Sequence, residues 1–303
     1  MWNDRLQRRI FELRNPSVVG LDPAIDYIPY DITSRHFAER VVTLMAASLA
    51  AAEFCCGIID AVCDIVPAVK PQSAYFEALG SCGVAALERV CEYASEKGMY
   101  VIMDAKRGDI GTTASAYSSA YLGRTSVGGL SFSPFKCDAV TVNAYLGSDG
   151  LKPFLKDCVS YDKMMFALVK TSNPSSGELQ NRKLEDEPLY SAVGGLIESL
   201  GSEYIGEYGY TPVGAVVGAT YPQELTELRA RLGNTFFLVP GYGAQGGSAD
   251  DVKGAFDARG GGAIVNSSRG IICAWKKLGV DYCEGARAEA LKMRNEMRRV
   301  SGI

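Results

Sequence analysis

The segment from Asp104 to Asp109 carries the side chains best suited to chemistry, with two carboxylates, a lysine and an arginine within six residues. Asp104 and Lys106 are two positions apart, so on a β-strand their side chains share one face. Opposite charges at this spacing keep each other ionised. Gly108 permits a turn, after which Asp109 lies near the start of the next helix. The pattern predicts either a catalytic charge array or a structural salt bridge.

A second set of residues is suited to holding a phosphate group. Pro240–Gly247 reads Pro-Gly-Tyr-Gly-Ala-Gln-Gly-Gly, whose glycines expose backbone N–H groups and let an anion approach closely. Asn266–Gly270 then leads into a predicted helix whose N-terminus favours negative charge, and Arg269 can hold phosphate through two hydrogen bonds. The alternative is an ordinary glycine-rich loop beside a surface arginine. If the fold is a barrel, the position of these loops favours a phosphate site.

Histidine and cysteine usage narrows the chemistry. His36 is the single histidine, which argues against Ser-His-Asp triads and histidine-based metal sites, and its neighbours predict a surface position on a helix. The nine cysteines form no CxxC pair, which is typical of buried thiols in a reducing compartment. A Schiff-base aldolase is an alternative, for which Lys170, Lys106 and Lys70 are competing candidates.

Composition and charge exclude several classes of protein. The chain has 303 residues, with 47% apolar and 22% charged residues, which excludes a disordered or fibrous chain. A net charge of −4 argues against a broad nucleic-acid interface. No run approaches the ~18 apolar residues of a membrane helix, so we interpret Leu44–Ala52 as a buried helix. We interpret Met1–Asn15, with its four arginines, as a short surface helix rather than a transit peptide.

Short apolar runs alternate with helical segments along the chain. Eight runs predict strands buried on both faces, at Val18–Leu21, Ile65–Val69, Tyr100–Met103, Ala139–Val142, Met165–Val169, Val213–Val217, Phe236–Val239 and Ala263–Val265. Helices are predicted at 37–52, 75–97 with a break near 80–83, 112–122, 148–156, 189–200, 222–232, 248–258 and 282–299.

This alternation predicts an α/β fold, a (β/α)8 TIM barrel formed by residues 1–303 as a single domain. A doubly wound sheet is the alternative, but Leu21-Asp22-Pro23 follows the first strand where that fold has a glycine fingerprint. The long stretch 173–210 is predicted to be an insertion at the rim after the fifth strand. In a barrel, functional residues lie just past the carboxyl ends of the strands.

The chain resembles the orotidine 5′-monophosphate decarboxylase family from about Val18 to Ala274. Asp104-Ala-Lys-Arg-Gly-Asp-Ile-Gly-Thr-Thr113 carries the family's DxKxxDIxxT signature. Further matches fall in the family's order, at Leu21-Asp22-Pro23, Val69-Lys70-Pro71, Lys170-Thr-Ser-Asn-Pro174, Pro240–Gly247 and Ser268-Arg269-Gly270. Each motif alone is moderately specific, and the set is highly specific. The length of the chain and the loop Thr171-Ser-Asn-Pro174 resemble the family's larger subgroup.

The resemblance implies removal of CO2 from orotidine 5′-monophosphate to give uridine 5′-monophosphate, the last step of de novo pyrimidine nucleotide synthesis. It implies that neither a cofactor nor a metal takes part. It also implies a charge array around the reacting carbon, formed by Lys70, Asp104, Lys106 and Asp109. Within this array, Lys106 would stabilise and then protonate the carbanion at C6.

The resemblance further implies a homodimer whose subunits share their active sites. Asp109, Ile110 and Thr113 would come from the neighbouring subunit. The remaining implied roles are ribose binding by Asp22 and Lys70, recognition of the pyrimidine edge by Ser172, and phosphate binding by Gln245 and Arg269. The expected partner is a small nucleotide. We expect no nucleic-acid partner and no association with a membrane, and we expect the protein to be cytoplasmic.

Two other functions are consistent with the same residues. A related phosphosugar decarboxylase would share the Asp-x-Lys-x-x-Asp array but use Mg²⁺ held by extra carboxylates, whereas the contexts of Lys70 and Ser172 favour a nucleotide. A non-catalytic barrel would bind nucleotides without turnover. Nothing in the sequence resembles a phosphoribosyltransferase signature, so a free-standing enzyme and one domain of a fused UMP synthase both fit the sequence.

Overall fold

Eight parallel strands close into a barrel in the computed structural model, which describes residues 4–243 and 246–303. Each strand pairs with the next along the chain, and the last pairs with the first. The barrel strands are β1 (Ser17–Leu21), β2 (Ala68–Pro71), β3 (Tyr100–Arg107), β4 (Ala139–Val142), β5 (Met164–Lys170), β6 (Val213–Val217), β7 (Phe237–Val239) and β8 (Ala263–Ser267). The (β/α)8 prediction is confirmed, and the doubly wound sheet is excluded.

Helices cover the outside of the barrel and one end of it. The α-helices lie at Asp4–Leu13, Tyr30–Arg40, Leu44–Val62, Ser73–Glu77, Gly80–Glu96, Gly111–Tyr121, Ser148–Tyr161, Gly177–Gln180, Leu189–Gly201, Pro222–Arg231, Arg269–Ile272, Ala274–Leu278 and Tyr282–Ser301. Short 3-10 turns lie at Ile25–Tyr27, Pro174–Ser176 and Asp250–Ala255. The break predicted near residues 80–83 is confirmed, at Gly80 with its positive φ of 67°.

Two predicted helices differ from the structure. The helix expected at 37–52 is two helices, because Val41 adopts a φ of 61° and Thr43 caps a new helix by accepting a hydrogen bond from the backbone N–H of Ala46. The helix expected at 248–258 is only a 3-10 turn. There Gly254 lies so close to Thr226 that a Cβ would collide with it.

The helix Leu44–Val62 is longer than the buried helix expected at 44–52. By length and composition alone it could cross a membrane, but 67% of its most apolar window is buried inside the protein. It packs against the helices Tyr30–Arg40 and Gly80–Glu96 and against the carboxyl-terminal helix Tyr282–Ser301. Its apolar character therefore reflects burial on several faces within the barrel's outer layer.

The amino-terminal helix Asp4–Leu13 was predicted to lie on the surface, and that prediction is wrong. The helix closes one end of the barrel. Leu6 and Ile10 are fully buried and join the interior cluster, which includes Phe166 and Phe236. The Asp4 carboxylate accepts hydrogen bonds from the backbone N–H groups of residues 207 and 208. This helix closes the end of the barrel opposite the carboxyl ends of its strands.

The stretch 173–210 contains one regular crossover helix and a shorter additional segment. The helix Leu189–Gly201 packs against β5 and β6, as the outer helix of a β/α unit does. The additional segment is residues 173–188, with the short helix Gly177–Gln180 and a two-stranded hairpin. A second hairpin, Thr125–Phe132, has no counterpart in the sequence-based predictions.

Candidate active site

A cavity of about 490 Å³ lies at the carboxyl end of the barrel. Its floor is apolar, formed by Leu168, Val216 and Leu238. Its wall carries polar side chains from nearly every strand end, namely Asp22, Lys70, Gln72, Asp104, Lys106, Thr141, Thr171, Ser172, Asn173, Gln180, Asn266 and Ser268. The fold therefore brings most of the predicted strand-end residues into one site.

Asp104 is the centre of the polar network in this cavity. Its Oδ2 accepts hydrogen bonds from Lys70 Nζ at 2.6 Å and from Gln72 Nε2 at 3.0 Å. Its Oδ1 accepts from Lys106 Nζ at 2.7 Å and from Thr141 Oγ1 at 2.9 Å. Each carboxylate oxygen thus has two donors, one of them an ammonium group. Such charge-assisted hydrogen bonds are the strong ones in proteins, and here they fix both lysines.

Burial and charge act in opposite directions on the pKa values of this network. Burial alone would raise the pKa of Asp104, but the neighbouring ammonium groups and hydrogen bonds outweigh it and lower the pKa well below the usual carboxyl range. Burial alone would lower the pKa of Lys70, but the carboxylates of Asp104 and Asp22 outweigh it and raise the pKa. Asp104 is therefore an anion and Lys70 a cation at neutral pH.

Asp104 and Lys106 meet, but not through the regular alternation of a strand. The register between β3 and β4 shifts between Met103 and Arg107, so the residues between them form a bulge. Lys106 has a φ of 49°, in the left-handed region. Its side chain is 46% exposed and reaches Asp104 from the wall of the cavity. The two groups meet because the bulge turns the lysine back toward the carboxylate.

The side of the cavity formed by β8 and β1, next to β2, leaves acceptors unpaired. Asp22 follows β1 and Asn266 lies in β8. The Oδ1 atoms of both residues are buried and accept no hydrogen bond from any described residue. Asp22 and Asn266 can therefore accept hydrogen bonds from a ligand that carries hydroxyl groups. Ser172, just after β5, lines another part of the cavity wall.

Asp109, Ile110 and Thr113 do not line the cavity of the described chain. Asp109 Oδ1 accepts from the backbone N–H of Ile110 at 2.8 Å, ahead of the helix Gly111–Tyr121. Ile110 is 56% exposed, and Thr113 is exposed as well. Of the four residues predicted for the charge array, the structure brings together Lys70, Asp104 and Lys106, and Asp109 lies apart from them.

The predicted phosphate-binding residues lie near the cavity mouth or outside the described residues. Gly241, Gly243 and Gly246 have φ values of 100°, 74° and 97°, which only glycine adopts readily, so the loop needs them. Gln245 falls outside the residues that the structure describes. Arg269 is exposed at the start of a short helix after β8, and its charge acts on the nearby Tyr75.

The other residues singled out from the sequence have structural partners. Lys170 is fully buried, donates to Asn181 Oδ1 at 2.5 Å, and lies 4.3 Å from the ring centroid of Tyr221. It is not among the described cavity-lining residues. His36 is on a helix as predicted, but it is partly buried, with its Nε2 2.7 Å from Glu53 Oε2. Within residues 4–243 and 246–303, no three His, Cys, Asp or Glu side chains are grouped to hold a metal ion.

Seven polar residues of the cavity wall were not predicted as site residues, and three of them had a signal in the sequence. Gln72 directly follows Lys70-Pro71 and is two positions from Lys70. Thr141 is the one polar residue in the run Ala139–Val142, and Asn266 directly follows the eighth predicted run. A polar residue inside or ending a barrel strand was the available signal for all three.

Comparison with known protein families agrees with the geometry of this cavity. A model of the Orotidine 5'-phosphate decarboxylase / HUMPS family matches residues 31–278. The chain belongs to this family. The resemblance inferred from the signature at Asp104–Thr113 is therefore confirmed.

Named relatives and solved structures extend over nearly the whole chain. An orotidine 5'-phosphate decarboxylase of Rhodopirellula baltica is 46% identical, over 90% of this chain and 88% of its own length. One from Caldicellulosiruptor bescii is 43% identical, over 91% and 90%. The structure of the Leishmania donovani OMP decarboxylase has a TM-score of 0.74 and 31% identity, over 100% and 99%. The Leishmania donovani UMP synthase matches 98% of this chain but only 56% of its own, with 34% identity and a TM-score of 0.76.

Proposed function

We propose that this chain catalyses the reaction for which its relatives are named, the loss of CO2 from orotidine 5′-phosphate to give uridine 5′-phosphate. The observation that carries the proposal is the Lys70–Asp104–Lys106 network in the cavity at the carboxyl end of the barrel. A buried carboxylate between two ammonium groups is suited to a reaction in which a substrate carboxylate leaves and negative charge develops on carbon.

Lys106 stabilises the developing charge and supplies the proton. When the bond between C6 and the carboxylate carbon breaks, CO2 leaves and the electron pair stays on C6, in the plane of the ring, where the π system cannot spread it. The Lys106 ammonium, partly exposed in the cavity wall, faces that charge. A proton then passes from Lys106 Nζ to C6, and the neutral amine recovers a proton from water.

Asp104 and Lys70 hold the ammonium of Lys106 in its place. Asp104 Oδ1 fixes the Lys106 ammonium at 2.7 Å, and Lys70 compensates the carboxylate from the other side. Because these partners are already paired, the reaction needs little rearrangement of the charged groups. Asp104 also lies next to the departing carboxylate in this assignment.

The residues of the cavity wall outside the Lys70–Asp104–Lys106 network bind the rest of the nucleotide. Asp22, together with Lys70, binds the ribose hydroxyl groups, which supply the donors that Asp22 Oδ1 does not find in the described chain. Ser172 recognises the edge of the pyrimidine. Arg269 and Gln245 bind the phosphate, far from the bond that breaks, so their binding energy orients the base.

A homodimer completes each active site. Asp109, Ile110 and Thr113 do not line the cavity of the described chain, and Ile110 is exposed, so these residues are available to a partner subunit. In the proposed dimer, these residues complete the charge array of the partner subunit. We assign the protein to the cytoplasm, because all nine of its cysteines are free thiols.

Release of CO2 from orotidine 5′-phosphate in excess EDTA tests the proposed reaction. We expect turnover by the wild type, and a loss of at least about 10⁴-fold for Lys106→Ala with nucleotide affinity kept. Lys292→Ala, at an exposed lysine of the carboxyl-terminal helix, is the matched control and keeps full activity. Binding without turnover by the wild type would favour the non-catalytic barrel. Turnover of a sugar phosphate that needs magnesium would favour the phosphosugar enzyme.

Mixing two inactive variants tests the shared site. Lys106→Ala and Asp109→Ala subunits are denatured together and refolded, so that mixed dimers form. If the sites are shared, each mixed dimer contains one intact site, and activity returns to about a quarter of the wild-type value at equal mixing. No recovery, with dimers demonstrated by sedimentation, would mean that each site is built from one chain.

A further inference from the structure

The bulge that carries the reacting lysine faces a single residue of the neighbouring strand. Met103 on β3 pairs with Val140 on β4, and Arg107 pairs with Val142. Three residues of β3, 104–106, therefore stand opposite Thr141 alone. In a bulge the extra residues lose their regular hydrogen bonds to the partner strand, so some other group must satisfy their backbone.

Lys106 adopts a backbone conformation that needs such support. Its φ of 49° lies in the left-handed region, which a lysine rarely occupies because its Cβ comes too close to the following carbonyl oxygen. Conformations of this kind persist only when the surrounding structure holds them. The side chain of Lys106 is 46% exposed, so dense packing does not provide this support.

The hydroxyl group of Thr141 provides it. Thr141 Oγ1 accepts a hydrogen bond from the backbone N–H of Lys106 at 2.9 Å and donates one to Asp104 Oδ1, also at 2.9 Å. The side chain is 98% buried and belongs to a β-branched residue on a strand, so its rotamer is well fixed. A single hydroxyl thus ties the root of the lysine to the carboxylate that holds its tip.

We propose that Thr141 is a positioning residue that sets the direction of the Lys106 ammonium toward the reacting carbon, an inference that rests on the proposed function. Lys106 is held at two points, by Thr141 at its backbone and by Asp104 at its Nζ. Without the hydroxyl, the backbone of Lys106 relaxes toward ordinary dihedral angles and its ammonium turns away. Asp104 keeps Lys70 and Gln72 as partners, so the fold survives.

The decisive experiment compares Thr141→Val with Thr141→Ser. Valine removes the hydroxyl and keeps the shape, whereas serine keeps the hydroxyl and loses only the methyl group. Because a displacement of about 1 Å at a reacting group costs about 100-fold in rate, we expect kcat of Thr141→Val to fall by about that factor. KM and the affinity for uridine 5′-phosphate stay near the wild-type values. Thr141→Ser recovers most of the lost kcat.

A second measurement follows the backbone rather than the reaction. Hydrogen exchange of the Lys106 amide, measured without substrate, is expected to speed up at least about tenfold in Thr141→Val and to remain slow in Thr141→Ser. Thr235→Val is the matched control, since Thr235 is also a buried threonine whose hydroxyl donates to a carboxylate, that of Glu198, outside the cavity. It lowers stability and leaves kcat unchanged. If Thr141→Val does not fold, Thr141→Ala replaces it.

The outcomes separate this inference from the proposed function. Unchanged kcat in Thr141→Val overturns the positioning role, and so does an equal loss of kcat in Thr141→Val and Thr141→Ser. Unchanged exchange of the Lys106 amide also overturns it. If the wild type itself does not turn over orotidine 5′-phosphate, the proposed function fails, while the exchange measurement still reports whether Thr141 holds the backbone of Lys106.

Discussion

The two sides of the cavity satisfy their polar groups in opposite ways. On the side of β2, β3 and β4, the Asp104 carboxylate is saturated by four donors from the chain itself. On the side of β8 and β1, the buried Oδ1 atoms of Asn266 and Asp22 accept no hydrogen bond from the described residues. Buried polar groups are normally bonded, so the second arrangement is the unusual one.

The difference separates the reaction from binding. Charged groups that are already paired need no rearrangement when charge develops on the substrate, which suits the side that performs the reaction. Unpaired acceptors lower stability until a ligand supplies donors, so the other side becomes complete only when the nucleotide binds. Substitutions on the first side should therefore affect stability and turnover together, and those on the second side should affect affinity.

Asp104→Asn is expected to have the largest effect. It removes the anion that lies between Lys70 and Lys106, and Lys70 then stays buried beside a neutral amide. Removing one partner of a buried ion pair costs about 3–5 kcal/mol. We expect the free energy of unfolding in urea to fall by about that amount and turnover to be lost. Asp64→Asn is the matched control, because the exposed pair of Asp64 and Arg287 contributes about 0–1 kcal/mol.

The way in which the free energy of unfolding depends on pH gives a second test of Asp104→Asn. Folding lowers the pKa of Asp104, so its stabilising contribution is present above the unfolded-state pKa of about 3.9 and is lost as the pH falls through the folded-state value. Folding raises the pKa of Lys70, so its contribution is lost only as the pH rises through that raised value. Asp104→Asn should therefore lose less stability than the wild type on acidification. Parallel acid profiles would contradict the prediction.

Arg269→Ala is expected to have an intermediate effect, confined to the phosphate. A charge-assisted hydrogen bond contributes about 1.5–3 kcal/mol, so we expect affinity for uridine 5′-phosphate to fall by about 10–100-fold. Affinity for uridine, which lacks the phosphate, should not change. Calorimetric titration of both ligands measures the difference, with Arg287→Ala as a surface control. Equal losses for the nucleotide and the nucleoside would mean that Arg269 does not bind the phosphate.

The reacting side was the easier one to predict from the sequence. Lys70, Asp104 and Lys106 stand at the ends of apolar runs, and the barrel rule brings such ends to one rim whatever the details of packing. The bulge at Lys106 was not predictable, since it depends on the register between β3 and β4 and on a hydroxyl from Thr141. The pairing of Asp104 with Lys106 was predicted correctly, but from the alternation of a regular strand, whereas the structure has a bulge there.

Long-range packing explains what the sequence left out. The amino-terminal helix has the pattern of a surface helix, and only the open end of the barrel explains why Leu6 and Ile10 are buried. The apolar stripe of the predicted helix continues past Val41, but the helix ends there. Val41 has a left-handed conformation because it lies in the turn between two helices. Asn266 was read as a strand end, but nothing local reveals that its Oδ1 is buried without a donor.

Asn266→Ala is expected to have the smallest effect, and the sharpest contrast between stability and affinity. The variant removes a buried acceptor that has no donor in the described chain, together with the 3.3 Å hydrogen bond from Asn266 Nδ2 to Ser268 Oγ, so the free energy of unfolding should change little. Affinity for uridine 5′-phosphate should fall by about tenfold, the value of one hydrogen bond. Asn234→Ala is the matched control, since Asn234 donates to the backbone carbonyl of Gly209 at 2.6 Å, away from the cavity.

That control should show the reverse pattern, with lower stability and unchanged affinity, because its amide is already satisfied within the chain. Urea unfolding and calorimetric titration of the two variants give both quantities for each. If Asn266→Ala instead loses stability and keeps its affinity, the two sides of the cavity do not differ in kind. Asn266 would then be a structural amide like Asn234, and the open acceptors would carry no information about the ligand. A loss of affinity at constant stability would mean that the β8 side of this barrel gains its missing hydrogen bonds from the nucleotide.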